Sequence, residues 1–246
     1  NPGLLTFTED FIFVSGATED DLEGRANTIC HEMAHMWFGD LVTMKWWDDL
    51  WLKESFADFM GALGAIEANG FNDAWVTFAN HRKSWAYLQD QLPTTHPIVA
   101  DIPHLEAAAQ NFDGITYAKG ASTLKQLVSY VGFDTFIEAA RVYFKRFAWG
   151  NTSLQDFLDV LNEVSGRDMQ TWSQAWLQTS GLSTLGTRRV YREDGKLQDL
   201  YLTQQLPDTQ PAGIGRPHVV KLETFILQEE KLVSTGTLSL EYPADP

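Results

Sequence analysis

His31-Glu32-Met33-Ala34-His35 constrains this chain more than any other stretch of it. Residues four apart lie about 40° apart around a helix. A helix here therefore projects both imidazoles from one face, where they can share one ion. Zinc suits such a pair because it is borderline-soft and accepts tetrahedral nitrogen and oxygen donors. Glu32 lies about 100° from His31 around the helix and cannot easily bind the same ion. It can instead reach a metal-bound water, act as general base, and return the proton to a leaving amine.

Two histidines do not make a catalytic site, so a third ligand is needed. Eighteen residues separate His35 from Glu54, which sits in the apolar stretch Leu50, Trp51, Leu52, Phe56, Ala57, Phe59 and Met60. A carboxylate in such surroundings needs a strong partner, and a metal is the strongest available. Two histidines and one glutamate leave the fourth position open for water, the mark of a catalytic rather than structural zinc site. Asp58, four residues after Glu54, shares its helix face and is a candidate acceptor for the second ring nitrogen of a zinc-bound histidine. Asp40, Asp48 and Asp49 compete for that role.

Local signals place these residues on helices. Thr18 and Asp21 form a capping box with Asp in place of the usual Glu, opening a helix that runs to about Phe38 and stops at Gly39. A second helix is expected from Asp48 or Asp49, whose carboxylates suit an N-cap, to Asn69-Gly70. Further helices are expected near 73–90, 116–131, 134–147, 153–165 and 169–179, punctuated by Gly132, Gly150, Gly166 and Gly181. Leu4–Val14 reads as a β-leaning run. Residues 91–113, with Pro93, Pro97 and Pro103, read as a long irregular loop that carries function or covers something. Beyond residue 186 the pattern changes to short alternating runs: Arg189–Arg192, Leu197–Gln205, His218–Leu227 and Leu232–Tyr242. Turn residues such as Asp194-Gly195 and Pro211-Ala212-Gly213 separate them, which predicts β-structure.

The spacing His31-Glu32-x-x-His35-x18-Glu54 resembles the zinc aminopeptidases of the aminopeptidase N type, within the gluzincins. The stretch from His31 to Gly61, including Trp37-Phe38-Gly39-Asp40 and Trp46-Trp47-Asp48-Asp49-Leu50-Trp51-Leu52, is similar to that family nearly throughout. Phe112-Asp113-Gly114-Ile115-Thr116-Tyr117-Ala118-Lys119-Gly120-Ala121 resembles its second signature, and Asn1-Pro2-Gly3-Leu4-Leu5-Thr6-Phe7 resembles the end of its Gly-x-Met-Glu-Asn motif. The resemblance covers residues 1–185. It implies a mainly α, thermolysin-like zincin catalytic domain over 1–185 and a small β-rich, sandwich-like domain over 186–246. It implies one Zn²⁺ held by His31, His35 and Glu54, Glu32 as the base, and peptide substrates with a free N-terminus. Through the resemblance alone, Tyr117 becomes the donor to the oxyanion that forms during peptide hydrolysis; read by itself it is one of seven tyrosines. Lys119 and Gly120 are expected to be structural.

Two departures stand out. The family commonly carries Asn-Glu-Gly around its zinc glutamate, where this chain has Lys53-Glu54-Ser55. The Glu of the Gly-x-Met-Glu-Asn motif, which binds the substrate amine in the family, would precede Asn1, so a fragment of a longer enzyme is expected. An endopeptidase or epoxide hydrolase on the same scaffold, or a pseudo-enzyme kept for partner contacts, are the rival readings.

Charge and composition exclude other classes. Eighteen basic against 33 acidic residues leave a net charge of −15, which repels phosphate backbones and disfavours nucleic-acid binding. A single cysteine, Cys30, cannot build a disulfide framework or a cysteine metal cluster, and is read as a small buried apolar residue. No apolar run reaches the roughly 20 residues of a membrane span, and no signal peptide is visible, so a cytoplasmic location is expected. His81 is read as solvated, and His96 and His104 as loop residues that could approach a cleft. His218 lacks metal-ligand spacing. Trp37, Trp46, Trp47 and Trp51 are read as core and dry wall around the metal.

Overall fold

The computed structural model describes residues 2–209 and 215–243. It divides into two compact units, Asn1–Ser180 and Gly181–Pro246. The first is mainly helical and the second is built of β-hairpins.

The helical unit opens with a single 3-10 turn at Glu9–Phe11, and no strand forms over Leu4–Val14. The β propensity of that run is overridden because no described strand lies beside it to take its backbone hydrogen bonds. Helix α1 (Glu19–Ala34) begins at the expected capping box: Asp21 N donates to Thr18 Oγ1 at 3.2 Å and Thr18 N donates to Asp21 Oδ2 at 2.9 Å. It ends four residues before Phe38, in a tight turn that leads to strand β1 (Val42–Met44).

Helix α2 (Trp51–Glu67) starts after a 3-10 turn at Trp47–Asp49 and has no side-chain cap. The two aspartates expected to cap it are engaged elsewhere. Asp48 Oδ1 accepts from Ile102 N at 2.7 Å, and Asp49 Oδ2 accepts from Leu154 N at 2.9 Å. Most of α2 is buried, and it packs closely on α1 where two glycines remove side chains. A Cβ on Gly64 would lie 2.9 Å from Cys30 Sγ, and one on Gly61 would lie 3.1 Å from Asn27 O. That contact holds the histidine face of α1 against the Glu54 face of α2.

The expected helix at 73–90 is two helices, α3 (Ala74–Asn80) and α4 (Arg82–Gln89), broken at His81. The break re-aims α4 so that Arg82 grips the buried Asp58 of α2, a tertiary pairing that outweighs continuous helical periodicity. The loop at 91–113 contains a short helix, α5 (Leu105–Gln110), capped by His104, whose Nδ1 accepts from Ala107 N. A π-helical turn at Ile115–Lys119 then runs into α6 (Gly120–Val131), followed by α7 (Phe133–Phe147), α8 (Leu154–Ser165) and α9 (Met169–Trp176). Strand β2 (Gly150–Thr152) pairs in parallel with β1.

Phe56 of α2 sits at the centre of the core. It stacks on Phe38 at 4.1 Å and meets Phe157 edge-on at 5.2 Å, with Phe136 parallel at 6.2 Å. Trp51, Leu124, Leu161 and Trp172 are buried around it. Aromatic rings carry large buried areas, so this cluster fixes the orientation of α2 on which the site depends.

In the β unit, strand β3 (Thr184–Tyr191) pairs antiparallel with β4 (Leu197–Gln205), and β5 (His218–Gln228) with β6 (Lys231–Tyr242). The expected runs lie on these four strands except for Arg192, which falls just past the end of β3, and β3 begins five residues earlier than its pattern predicted. The Asp194-Gly195 turn closes the first hairpin, with Gly195 at φ 77°. The turn expected at Pro211-Ala212-Gly213 lies outside the described residues, as does Asn1. Gln204 ties β4 to the start of β5: its side chain accepts from Arg216 N at 2.8 Å and donates to Arg216 O at 2.9 Å.

Candidate metal centre

The helical spacing of α1 aims the His31 and His35 rings at the same point, with ring centroids 4.9 Å apart and planes at 84°. Glu54 reaches it from α2. Its Oε2 lies 3.3 Å from His35 Nε2 and 3.7 Å from His31 Nε2. One ligand atom from each of the three residues falls within 4.8 Å of the others, the only such group among the described residues. Two imidazole nitrogens and one carboxylate oxygen are the donor set that suits zinc, with room for a fourth ligand. The residues present therefore fit a zinc ion.

The remaining atoms of these ligands are each held. His31 Nδ1 faces Asp58 Oδ1 at 3.2 Å, and His35 Nδ1 donates to Phe38 O at 3.0 Å. Lys53 Nζ lies 2.7 Å from Glu54 Oε1, which leaves Oε2 to the histidines. Of the four aspartates competing to back the histidines, Asp58 is the one facing a ring nitrogen. Arg82 forks onto it from α4 with contacts of 2.7 and 3.0 Å, so this buried carboxylate is not left uncompensated.

Electrostatics follow from this packing. Burial alone would raise the Glu54 pKa, but hydrogen bonds from His31 and His35 and the Lys53 ammonium hold its carboxyl well below the usual range. Burial would lower that of His31, yet Asp58 and Glu54 outweigh it and push it up to about 9. The site thus concentrates negative charge around two imidazoles, as a divalent cation requires.

Tyr117 lies beside the ligands, its ring parallel to that of His31 with centroids 6.2 Å apart. Burial and the charge of Glu54 push its phenol far above its usual pKa, so it is protonated and able to donate. It sits on the π-helical turn, where the amides of Lys119 and Gly120 donate five residues back to Gly114 O and Ile115 O. Such turns are rare and recur at functional sites. The turn is docked on α2 by Ser55, whose Oγ donates to Thr116 O, and by Gly120, where any Cβ would overlap Ser55. Lys119 Nζ pairs with the buried Asp90 at 2.8 Å.

Glu32 lines a cleft of about 550 Å³ together with His35, Lys53, Trp46 and Trp47. The four tryptophans split: Trp51 is core, Trp47 is partly buried on the cleft, and Trp37 and Trp46 are both nearly half exposed, contrary to their expected place in a dry wall, although Trp46 also lines the cleft. Cys30 is half-buried against Gly64 and Asn69, away from the ligands. His81 and His104 lie on the surface, and His218 belongs to the β unit. Arg82 carried no sequence signal for its place behind Asp58, because the two stand 24 positions apart and are brought together only by packing.

Comparison with known proteins agrees with this geometry. Residues 1–177 match the peptidase family M1 domain. The chain is similar to aminopeptidase N of Streptomyces lividans, with 50% identity over 98% of this chain and 29% of that protein. It is 40% identical to the probable aminopeptidase 2 of Sulfurisphaera tokodaii and 37% identical to the leucyl aminopeptidase of Saccharolobus solfataricus, each over 74% of this chain. It spans less than a third of the length of these relatives. The histidine pair, the glutamate from the next helix and the family match across most of the sequence agree: the chain belongs to peptidase family M1.

Proposed function

We propose that this chain carries the catalytic centre of a zinc aminopeptidase, on a helical unit of the thermolysin-like zincin type, acting on peptides with a free N-terminus. The observation that carries the reading is the convergence of His31, His35 and Glu54 beside Tyr117. The names of the relatives favour an aminopeptidase over the endopeptidase and epoxide hydrolase readings.

In this reading His31, His35 and Glu54 hold one Zn²⁺, which when bound supplies a Lewis acid at the scissile carbonyl and acidifies water. Asp58 and the Phe38 carbonyl accept hydrogen bonds from the Nδ1–H groups of His31 and His35, leaving each Nε2 lone pair for the ion. Glu32 accepts the proton of the attacking water and delivers it to the leaving amine. Tyr117 donates its phenolic hydrogen to the oxygen on which negative charge develops, with no competing charge of its own. Trp46 and Trp47 line the same cleft as Glu32 and His35, and so border the space a substrate would enter.

The test is zinc stoichiometry together with turnover in the complete natural protein. One zinc per chain is expected, with cleavage of free aminoacyl amides and none of their N-acetylated forms. Glu32→Gln should keep its zinc and lose about 10²- to 10⁴-fold in kcat. Retained turnover in the zinc-loaded variant removes Glu32 from the mechanism, and cleavage of acetylated substrates removes the exopeptidase reading.

A further inference from the structure

His96 stands 21 residues before Tyr117 in the Pro-rich loop, outside the metal centre, and its ring is held at both nitrogens. Nδ1 lies 2.7 Å from Pro97 O, and Nε2 lies 2.9 Å from Asp113 Oδ2. A carbonyl and a carboxylate both only accept, so both ring nitrogens must donate. That requires an imidazolium paired with an ionised Asp113. The other oxygen of the same carboxylate, Asp113 Oδ1, accepts from Ile115 N and Thr116 N, each at 3.0 Å. Those are the first amides of the π-helical turn, and Tyr117 N donates to Asp113 O at 3.0 Å. Asp113 therefore joins the loop to the turn that carries the phenol.

We propose that His96 is a positioning residue: through Asp113 it pins the start of the turn and so sets where the Tyr117 hydroxyl stands beside the metal ligands. The inference rests on the proposed role of Tyr117 as oxyanion donor. An imidazolium donor makes a shorter and stronger bond to a carboxylate than a neutral ring can. The charges facing His96 are Asp113, which favours the imidazolium, and Lys119, which opposes it and is itself paired with Asp90. Burial opposes the charged form as well; the bonds to Asp113 and Pro97 outweigh both and raise the pKa. As pH rises through that raised value, His96 loses one donor, Asp113 loses its anchor, and the turn loosens.

The experiment uses the complete natural protein loaded with zinc. His96→Phe should lower kcat about tenfold to a hundredfold, as a misplacement near 1 Å does, with KM and zinc content unchanged. In a Tyr117→Phe background the same change should lower kcat no further, because both substitutions remove one contribution. His96→Lys, which restores a cationic donor to Asp113, should recover part of the loss. Additive losses in the double variant overturn the proposal, as does a fall in zinc content that accounts for the lost rate.

Two readouts stand apart from turnover. Ring-nitrogen NMR of His96 should show both nitrogens protonated, with titration above 6.5; titration at or below that value overturns the imidazolium. Amide exchange at Ile115 and Thr116 should quicken in His96→Phe while the α2 amides stay protected, and unchanged exchange overturns the pinning. Should Tyr117→Phe keep full kcat, the catalytic reading of Tyr117 falls, and amide exchange still decides whether His96 holds the turn. If His96→Phe fails to fold, His96→Gln, which keeps one neutral donor, replaces it with a smaller loss expected.

Discussion

His31 Nδ1 and Asp58 Oδ1 face each other at 3.2 Å, with Arg82 donating to both oxygens of the same carboxylate. One contact thus fixes the His31 tautomer, the other stabilises the buried charge that fixes it. Asp58→Asn should therefore weaken zinc binding without removing a ligand. The expected loss is about 10- to 100-fold in affinity, read by chelator competition. Unchanged affinity would show that Asp58 serves only the fold.

Gly120 admits the close approach of α6 to Ser55, and Gly24 in α1 has open space where a Cβ would stand. Gly120→Ala should cost about 1–3 kcal/mol in denaturant unfolding, as overpacking does. Gly24→Ala should stabilise by about 0.5–1 kcal/mol, the helix propensity gained. Equal effects of the two substitutions would contradict the packing described here.

The second β-hairpin turns through Glu229 and Glu230, both at positive φ (48° and 62°). Left-handed backbone is costly for residues other than glycine and asparagine, and two adjacent carboxylates repel. Glu229→Asn with Glu230→Gly supplies the residues a two-residue hairpin favours. The pair should raise the unfolding midpoint of the chain with no change in its m-value.

His218 is buried next to Arg216, and both burial and that positive charge lower its pKa from 6.5 to about 4. The folded state holds it neutral while the unfolded state binds a proton between those values. Its contribution to stability is therefore present above pH 6.5 and lost as pH falls toward 4. Unfolding midpoints measured from pH 4 to 8 should show this slope, and His218→Gln should flatten it.

What the sequence alone determined is what lies within a few residues along the chain. The capping box at Thr18 and Asp21 and the common face of His31 and His35 follow from helix geometry, which repeats every few residues regardless of what surrounds it. The alternating runs after residue 186 are legible for the same reason, since strand periodicity is local. Tertiary structure decided the rest. Leu4–Val14 has strand-forming residues but no strand beside it, and a strand exists only in a pair. Asp48 and Asp49 look like caps, but the amides of Ile102 and Leu154 arrive from far along the chain and claim them. The helix at 73–90 breaks so that Arg82 can meet Asp58, and His96 finds Asp113 across a loop. Such pairings join residues 17 to 105 positions apart. No local period encodes them; they are set when the aromatic core around Phe56 fixes the helices against one another.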